Sequence, residues 1–327
     1  MKRIIKTNEF SVAAIITIIW ILFGLVNPDI LTVANLYAIT RASIISATFA
    51  LSCLLVLLAV GIDMSFYAVG CTSIYVVLNY LVKNKMFDTP LLLIFGASIV
   101  LAIILQLINW FFIDRLSLQP FIVTIGSQSL YKGFLLAFIG TTYITTLPTS
   151  MKSLATKYIA STTNSSGITS NLHFLVFIVI IMYVLMHLML SYTRFGRNIY
   201  AIGADVIAAK RAGINISKTR FFVFLLAGII CGIGGMFQVT LNRAAVPADL
   251  VGQELMVIAA VVLGGGMGKQ ARGSILGTAL GVILLSLISN SLILMKIPSY
   301  YQQAFTGIII LIGLVIQSSK GKEQAVD

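Results

Sequence analysis

The chain has 327 residues, a hydrophobic fraction of 59%, a charged fraction of 10% and a mean hydropathy of +1.02. Soluble domains carry about 25% charged residues, so this chain cannot cover a water-facing surface and is predicted to be an all-α polytopic membrane protein. The net charge of +12 does not indicate nucleic-acid binding. Lys and Arg lie in loops and at the ends of apolar runs, where they set topology and contact anionic lipid.

Apolar runs of about 20 residues, the length that spans a bilayer, predict about ten transmembrane helices. The eighth run is short and ends in Gly264-Gly265-Gly266, so it is either a full span or a re-entrant element. The predicted spans cover residues 10–26, 38–60, 66–82, 91–113, 120–139, 172–192, 221–241, 254–263, 274–294 and 301–317.

The distribution of Lys and Arg predicts the orientation. With the N-terminus inside and ten alternating spans, the inside segments hold twice as many Lys and Arg residues as the outside segments, as cytoplasmic loops do. Both termini are therefore predicted to be cytosolic. Residues 1–9, 193–220 and 318–327 then lie inside, and residues 140–171 form an extracytoplasmic segment.

The basic segment of residues 193–220 lies between the sixth and seventh spans. It carries good helix formers at residues 204–212, with Asp205 near their start and Lys210 and Arg211 near their end, an arrangement that complements the helix dipole. Gly213 suits the position just after a helix. We predict a short cytosolic helix, Ala204–Gly213, bounded by Gly203 and Gly213. The alternative is a plain basic loop that fixes topology.

Residues 61–65 (Gly-Ile-Asp-Met-Ser) link the second and third spans. Acidic residues at membrane depth are candidates for functional sites, which makes Asp63 one. The alternative is structural: Asp63 and Ser65 cap the start of the third span.

Polar residues within the spans have the same two interpretations. They either line a translocation path or form hydrogen bonds between helices. Pro120 suits the start of the fifth span, and Gln128 and Lys132 fall on one face of it. The candidates for a path are Asn79, Gln128 and Asn290; Gln106, Asn109 and Ser286 are further polar residues of this kind.

Neither metal nor nucleotide chemistry is predicted for this chain. Cys53, Cys71 and Cys231 lie in apolar stretches without CxxC spacing. The glycine-rich residues 264–277 lack the order of a phosphate-binding loop and are interpreted as a tight turn between packed helices. No catalytic constellation is present in the sequence, so no enzyme activity is predicted.

Four segments together resemble the permease subunits of sugar ATP-binding-cassette (ABC) importers of the ribose, galactose and xylose type, a family that includes the autoinducer-2 and galactofuranose permeases. They are residues 61–65, 120–126, 194–214 and 259–265, the last followed by Gly277-Thr278, and the resemblance covers about residues 34–317. The signature residues are Gly61, Asp63, Ser65, Pro120, Gly264 and Gly265. Residues 66–68 separate Ser65 from a Val-Gly pair that usually follows directly, and the link after Gly265 is shorter than usual.

The resemblance implies one transmembrane permease domain, residues 1–327, in the bacterial cytoplasmic (inner) membrane. Such a permease translocates a monosaccharide or similar small sugar delivered by an extracytoplasmic binding protein. It pairs with a second copy or a related permease and with an ABC ATPase subunit that uses ATP and Mg²⁺, while the permease itself binds no cofactor. The residues assigned to contact with the ATPase are Arg197, Gly203, Ala204, Asp205, Ala208, Ala209, Lys210, Arg211 and Gly213.

A secondary carrier for a small polar solute, driven by an ion gradient, is the alternative function. Such carriers use intramembrane acids or broken helices as coupling sites. This sequence offers Asp63 and Glu254 for that role. A carrier would need no partner at the basic segment.

Overall fold

The computed structural model describes residues 8–163, 169–266 and 273–298 and positions 301, 304, 307 and 308, and it is mostly helical. Wide π-helical turns continue α4, α5 and α11, at Phe111–Arg115, Leu135–Ile139 and Val262–Gly266. The helices are α1 (Asn8–Val26), α2 (Val33–Ala59), α3 (Phe66–Lys83), α4 (Leu91–Trp110), α5 (Pro120–Phe134), α6 (Thr149–Ala155), α7 (Leu175–Tyr192), α8 (Arg194–Ala204), α9 (Val206–Arg211), α10 (Ile216–Asn242), α11 (Glu254–Val261) and α12 (Ile275–Leu294).

Eight helices in the described part of the chain are long and apolar enough to cross a membrane, which makes this a polytopic membrane protein. They are α1, α2, α3, α4, α5, α7, α10 and α12 with their π-helical extensions. These eight helices correspond to the first seven predicted spans and the ninth. The eighth run is a shorter apolar helix, Glu254–Gly265, which ends where Gly265 adopts a φ of +103°. The tenth predicted span, residues 301–317, lies mostly outside the described residues.

A β-hairpin interrupts the helical chain, so the prediction of an all-α protein is wrong in this detail. Strands β1 (Tyr158–Thr163) and β2 (Thr169–His173) pair antiparallel, and a register shift falls between Tyr158 and Ala160. The side chains of β1 alternate between half-buried and exposed. The β-branched residues Ile and Thr and the aromatic Tyr158 of β1 favour such a half-exposed strand.

The chain folds into two compact units, which we describe separately. The first contains the described parts of Met1–Ala50, Tyr158–Ile181 and Met256–Asp327, and the second contains Leu51–Lys157 and Met182–Leu255. In the first unit, the Asn27 side chain donates to the Leu294 carbonyl at 3.4 Å, which ties the end of α1 to α12. Backbones approach closely here, because a Cβ on Gly277 would lie 1.7 Å from the Gly264 carbonyl oxygen.

In the second unit, the backbone of helix α10 lies very close to the backbones of α3 and α4, with almost no side-chain atoms between them. A Cβ on Gly228 would lie 2.6 Å from the Cα of Ile103, and one on Gly235 would lie 2.3 Å from the carbonyl oxygen of Gly70. Small residues at such crossings let transmembrane helices approach closely, and this contact replaces the hydrophobic effect as the source of packing energy in lipid. These glycines make α3, α4 and α10 one tightly packed group.

We expect Gly235→Ala to destabilise the protein by about 1–3 kcal/mol, because the added methyl group forces the α3 and α10 backbones apart. Thermal unfolding of the purified chain in detergent measures the effect. Gly96→Ala is the matched control, since Gly96 lies within α4 with open space around its Cβ position. A Gly235→Ala protein that unfolds at the temperature of Gly96→Ala would contradict this account of the packing.

Three loops contact one another at one end of the second unit. At one end, Ile144 and Ala245 form an isolated β-bridge, with N–O distances of 3.0 and 2.9 Å. At the same end, the Thr149 amide donates to the Phe87 carbonyl at 2.9 Å. The segments that follow α3, α5 and α10 therefore meet at one end, as alternating spans require.

Candidate functional site

The link between α2 and α3 enters a buried polar cluster, which we define as Asp63, Ser65, Gln106 and Asn109. All four side chains are at most 1% exposed. One carboxylate oxygen of Asp63 accepts from the Ser65 amide and from the Ser65 hydroxyl, each at 2.7 Å. The other accepts from Nε2 of Gln106 at 3.2 Å. A single acidic side chain thus receives hydrogen bonds from its own loop and from α4.

The remaining hydrogen bonds of the cluster are directed toward Asp63. Nδ2 of Asn109 donates to Oγ of Ser65 at 2.8 Å and to Oε1 of Gln106 at 3.2 Å. Each side chain that donates to Asp63 therefore accepts in turn from Asn109. Such a chain of donors is matched to the carboxylate oxygens of Asp63, which accept hydrogen bonds. The start of α3 adds the positive end of a helix dipole.

The structural interpretation of this motif holds in part. Asp63 satisfies the amide of Ser65, the residue before α3. The Ser65 side chain does not cap α3, and Ser65 has helical φ and ψ. Its hydroxyl donates to Asp63 instead. The functional importance of Asp63 stays a prediction.

Helix α5 holds the other side of the same loop. It begins at Pro120, as the sequence predicted. Oγ1 of Thr124 accepts from the Met64 amide at 3.1 Å. Gly61 has a φ of +135°, and a Cβ at this position would lie 3.8 Å from Pro120. The signature residues of the first two segments thus meet in one place, where Gly61 allows the backbone to turn.

Asn79 and Gln128, two of the three residues predicted to line a path, each form a hydrogen bond to a different partner in the second unit. The Asn79 side chain donates to the Ile139 carbonyl at 3.1 Å, so it forms a contact between helices. Nε2 of Gln128 donates to the buried Glu254 carboxylate at 2.8 Å, which also accepts from the Gly252 amide at 2.8 Å. Asn290 is half-buried on α12 in the first unit. Their role in transport stays a prediction.

The basic segment contains two helices, where the sequence analysis placed one at Ala204–Gly213. Gly203 and Ala204 belong to the end of α8, and the second helix, α9, is only Val206–Arg211. The boundary lies at Asp205, which is extended (φ −159°, ψ 111°). Its carboxylate accepts from the amides of Ile207 at 2.7 Å and Ala208 at 3.0 Å. An aspartate N-cap specifies a helix start better than a preceding glycine does.

The predicted end of α9 is confirmed. Gly213 has a φ of +82°, and its amide donates to the Lys210 carbonyl at 3.1 Å. The amide of Ile214 donates to the Ala209 carbonyl at 3.1 Å. These are the two hydrogen bonds of a Schellman motif, in which glycine is favoured after the helix.

Helix α8 was missed by the sequence analysis. Its start is capped by Thr193, whose hydroxyl accepts from the Gly196 amide at 3.1 Å. Ile199 and Ile202 are buried, and the Phe195 ring meets the Phe222 ring of α10 edge-on at 6.3 Å. The spacing of Phe195, Ile199 and Ile202 indicates an amphipathic helix and was available in the sequence.

The predicted ATPase-contact residues lie together on this helix pair, and all but one are exposed. Ala209 is buried. The exposed residues are Arg197, Gly203, Ala204, Asp205, Ala208, Lys210, Arg211 and Gly213. Among the residues that the structure describes, no group of three or more His, Cys, Asp or Glu side chains could hold a metal ion.

The described fold defines a polytopic helical membrane protein with an exposed, capped helix pair between two of its spans, and comparison with known proteins gives the family. Residues 35–314 match the family described as the branched-chain amino acid transport system permease component. The chain is 27% identical over 318 residues to the ribose import permease protein RbsC of Haemophilus influenzae, covering 97% of this chain and 95% of that protein.

Two further relatives have similar coverage. The ribose import permease protein RbsC of Bacillus subtilis is 30% identical over 313 residues, 93% of this chain and 90% of the relative. The autoinducer 2 import system permease protein LsrC of Shigella flexneri is 26% identical over 315 residues, 96% of this chain and 88% of the relative.

The chain belongs to this permease family. It is a multi-pass membrane protein and the permease component of an ABC importer of the type that includes the ribose and autoinducer 2 import permeases. As a permease component it is a part of a transport system and is not itself an enzyme.

Proposed function

We propose that this chain carries a monosaccharide or similar small sugar across the bacterial cytoplasmic (inner) membrane. An extracytoplasmic binding protein delivers the sugar, and a separate ABC ATPase subunit binds ATP and Mg²⁺ and supplies the energy. A second permease, either the same chain or a related one, completes the path. Similarity to the ribose and autoinducer 2 import permeases supports the substrate class.

The exposed helix pair α8–α9 is the observation that carries the mechanism. Its outer surface combines the cations Lys210 and Arg211 with the apolar side chain of Ile207, which is 66% exposed. This combination suits a groove that offers carboxylates and an apolar floor. We place the ATPase subunit at this surface, where closure of the ATPase on ATP would push on α9.

Movement of the pair would pass directly to α10. Only residues 212–215 separate α9 from α10, and Asn215 caps α10 by accepting from the Lys218 amide at 2.9 Å. The Phe195–Phe222 ring contact joins α8 to α10 as well. Because α10 packs on α3 and α4 through glycines, a shift of α10 would move these helices as a group.

The Lys and Arg distribution supports an orientation with both termini and the helix pair in the cytosol. Residues 140–171 and 243–252 then face the outside. The Ile144–Ala245 bridge, which joins the two segments within the second unit, supports this assignment. We propose that these two segments receive the binding protein.

Reconstitution tests the function. The full-length chain, its ATPase subunit and the binding protein of the same organism are placed in liposomes, and uptake of labelled ribose is measured with and without ATP. We expect uptake to require ATP and the binding protein, and adding the permease to stimulate ATP hydrolysis. Uptake driven by a sodium or proton gradient without ATP would overturn the proposal in favour of a secondary carrier.

The same assay tests the outer surface. Lys152 and Lys157 are exposed in the segment assigned to the outside. We expect Lys152→Glu with Lys157→Glu to raise the binding-protein concentration needed for half-maximal uptake several-fold, at unchanged uptake under saturation. An unchanged concentration would remove this segment from the docking surface.

A further inference from the structure

Aromatic and basic side chains meet in the second unit where α4 ends and α10 begins. We call this group the basic–aromatic corner and define it as Trp110, Asp114, Arg115, Ser217, Arg220 and Phe221. The Arg115 guanidinium lies over the Trp110 ring, with Cζ 5.5 Å from the ring centroid. The Trp110 ring packs edge-on against the Phe221 ring at 5.1 Å. Arg115, Trp110 and Phe221 thus form one continuous contact between the end of α4 and the start of α10.

Asp114 does not fully satisfy the Arg220 guanidinium. An oxygen of Asp114 lies 3.7 Å from Nη1 of Arg220, whereas a charge-assisted hydrogen bond is about 2.7–2.9 Å long. The other oxygen of Asp114 accepts a short hydrogen bond from the Ser217 hydroxyl. The carboxylate is therefore engaged mainly by Ser217, and the arginine retains capacity for another acceptor.

Two buried N–H groups of the corner have no hydrogen-bond partner in the described part of the chain. They are Nε of Arg220 and Nε1 of Trp110. A buried donor without an acceptor destabilises the folded chain. Two such donors in one corner indicate that an acceptor from outside the chain binds here, and the adjacent guanidinium groups indicate that this acceptor is an anion.

The surroundings of the corner are those of a membrane interface. The corner lies at the ends of two spanning helices, which cover Leu91–Arg115 and Ile216–Asn242. Phe111, Phe112 and Phe222 are 49%, 40% and 41% exposed beside it. Aromatic rings and basic residues at span ends lie at the level of lipid headgroups. A soluble acidic partner would leave the exposed parts of these aromatic rings in water.

We propose that the basic–aromatic corner binds the headgroup phosphate of an anionic phospholipid. The phosphate accepts hydrogen bonds from Arg115, from Nε of Arg220 and from Nε1 of Trp110, and the acyl chains lie along Phe111 and Phe112. Arg115, Lys218 and Arg220 outweigh the single negative charge of Asp114, which favours an anionic headgroup over a zwitterionic one. This site lies at the base of α10, and its existence does not depend on the transported solute.

Native mass spectrometry of the full-length chain in detergent tests the site. The protein is titrated with phosphatidylglycerol and, separately, with phosphatidylcholine. We expect tighter binding of phosphatidylglycerol, and we expect Arg115→Gln and Trp110→Phe each to weaken it about five- to tenfold, the effect of losing one charge-assisted hydrogen bond. Trp110→Phe retains an aromatic ring and removes the donor.

Lys83→Gln is the matched control, because Lys83 is exposed at the end of α3 away from the corner. It should bind phosphatidylglycerol as the wild-type chain does. Equal binding of the two lipids, or wild-type binding by both corner variants, overturns the proposal. Displacement of phosphatidylglycerol by millimolar inorganic phosphate would identify a site for free anions and overturn the lipid assignment.

Discussion

Replacing Ala208 by proline is expected to lower ATP-dependent sugar uptake at least about tenfold and to remove the stimulation of ATP hydrolysis by the permease. The Ala208 amide donates to the Asp205 carboxylate at 3.0 Å, and proline has no such group. Proline also disfavours helical dihedral angles at Ile207. Ala208 lies in the first turn of α9, so the loss is that of a capping hydrogen bond, about 1 kcal/mol, and a helix of six residues has little stability of its own to offset it.

Val206→Pro is the matched control for this prediction. Val206 is the first residue of α9, where proline is favoured, and Asp205 before it is already extended, as a residue preceding proline should be. Uptake and ATP hydrolysis should stay near wild type in this variant. If Ala208→Pro retains coupled uptake as Val206→Pro does, α9 does not transmit the effect of ATP.

Replacing Asp63 by leucine is expected to lower the free energy of unfolding by about 2–6 kcal/mol. Leucine leaves the Ser65 amide and the Gln106 side chain as buried donors without an acceptor, and each costs about 1–3 kcal/mol. The loss should appear as a lower unfolding temperature of the purified chain and as less protein in the membrane.

Asp63→Asn is a milder replacement that keeps part of the hydrogen bonding of this residue. Asparagine keeps one acceptor oxygen for Ser65 and presents an NH₂ group to Gln106, so we expect a smaller loss of about 1–3 kcal/mol. Asp88→Asn is the control, because Asp88 is exposed in the loop after α3. An Asp63→Leu protein as stable as Asp88→Asn would show that the cluster does not hold the start of α3.

The sequence predicted the elements whose signals are local. Apolar length located the spans in the described part of the chain, Pro120 marked the start of α5, and Gly213 marked the end of α9. The prediction failed where short-range signals compete. Gly203 was chosen as a boundary over Asp205, although an aspartate cap satisfies two amides. The hairpin strands were missed because five or six polar residues carry a weak periodic signal.

For the buried polar cluster, the sequence indicated the kind of contact but not the residues that make it. Hydrogen bonds between helices were one of two roles considered for Gln106 and Asn109, and their acceptors could not be named. Asp63 and Gln106 are 43 residues apart in sequence, and their meeting depends on how α3 and α4 pack. The corner at Trp110 and Arg220 went unnoticed for the same reason, since neither residue carries a motif that identifies its partner.

The glycine contacts of α10 have a consequence for how the protein is made. Helix α4 ends at Trp110 and α10 ends at Asn242. At about 5–20 residues per second, translation of the intervening chain takes on the order of ten seconds. During that interval Gly70, Ile99 and Ile103 face either lipid or the insertion machinery, because the helix that covers them has not yet been synthesised. The packing of α10 against α3 and α4 is therefore a late step in the synthesis of the protein.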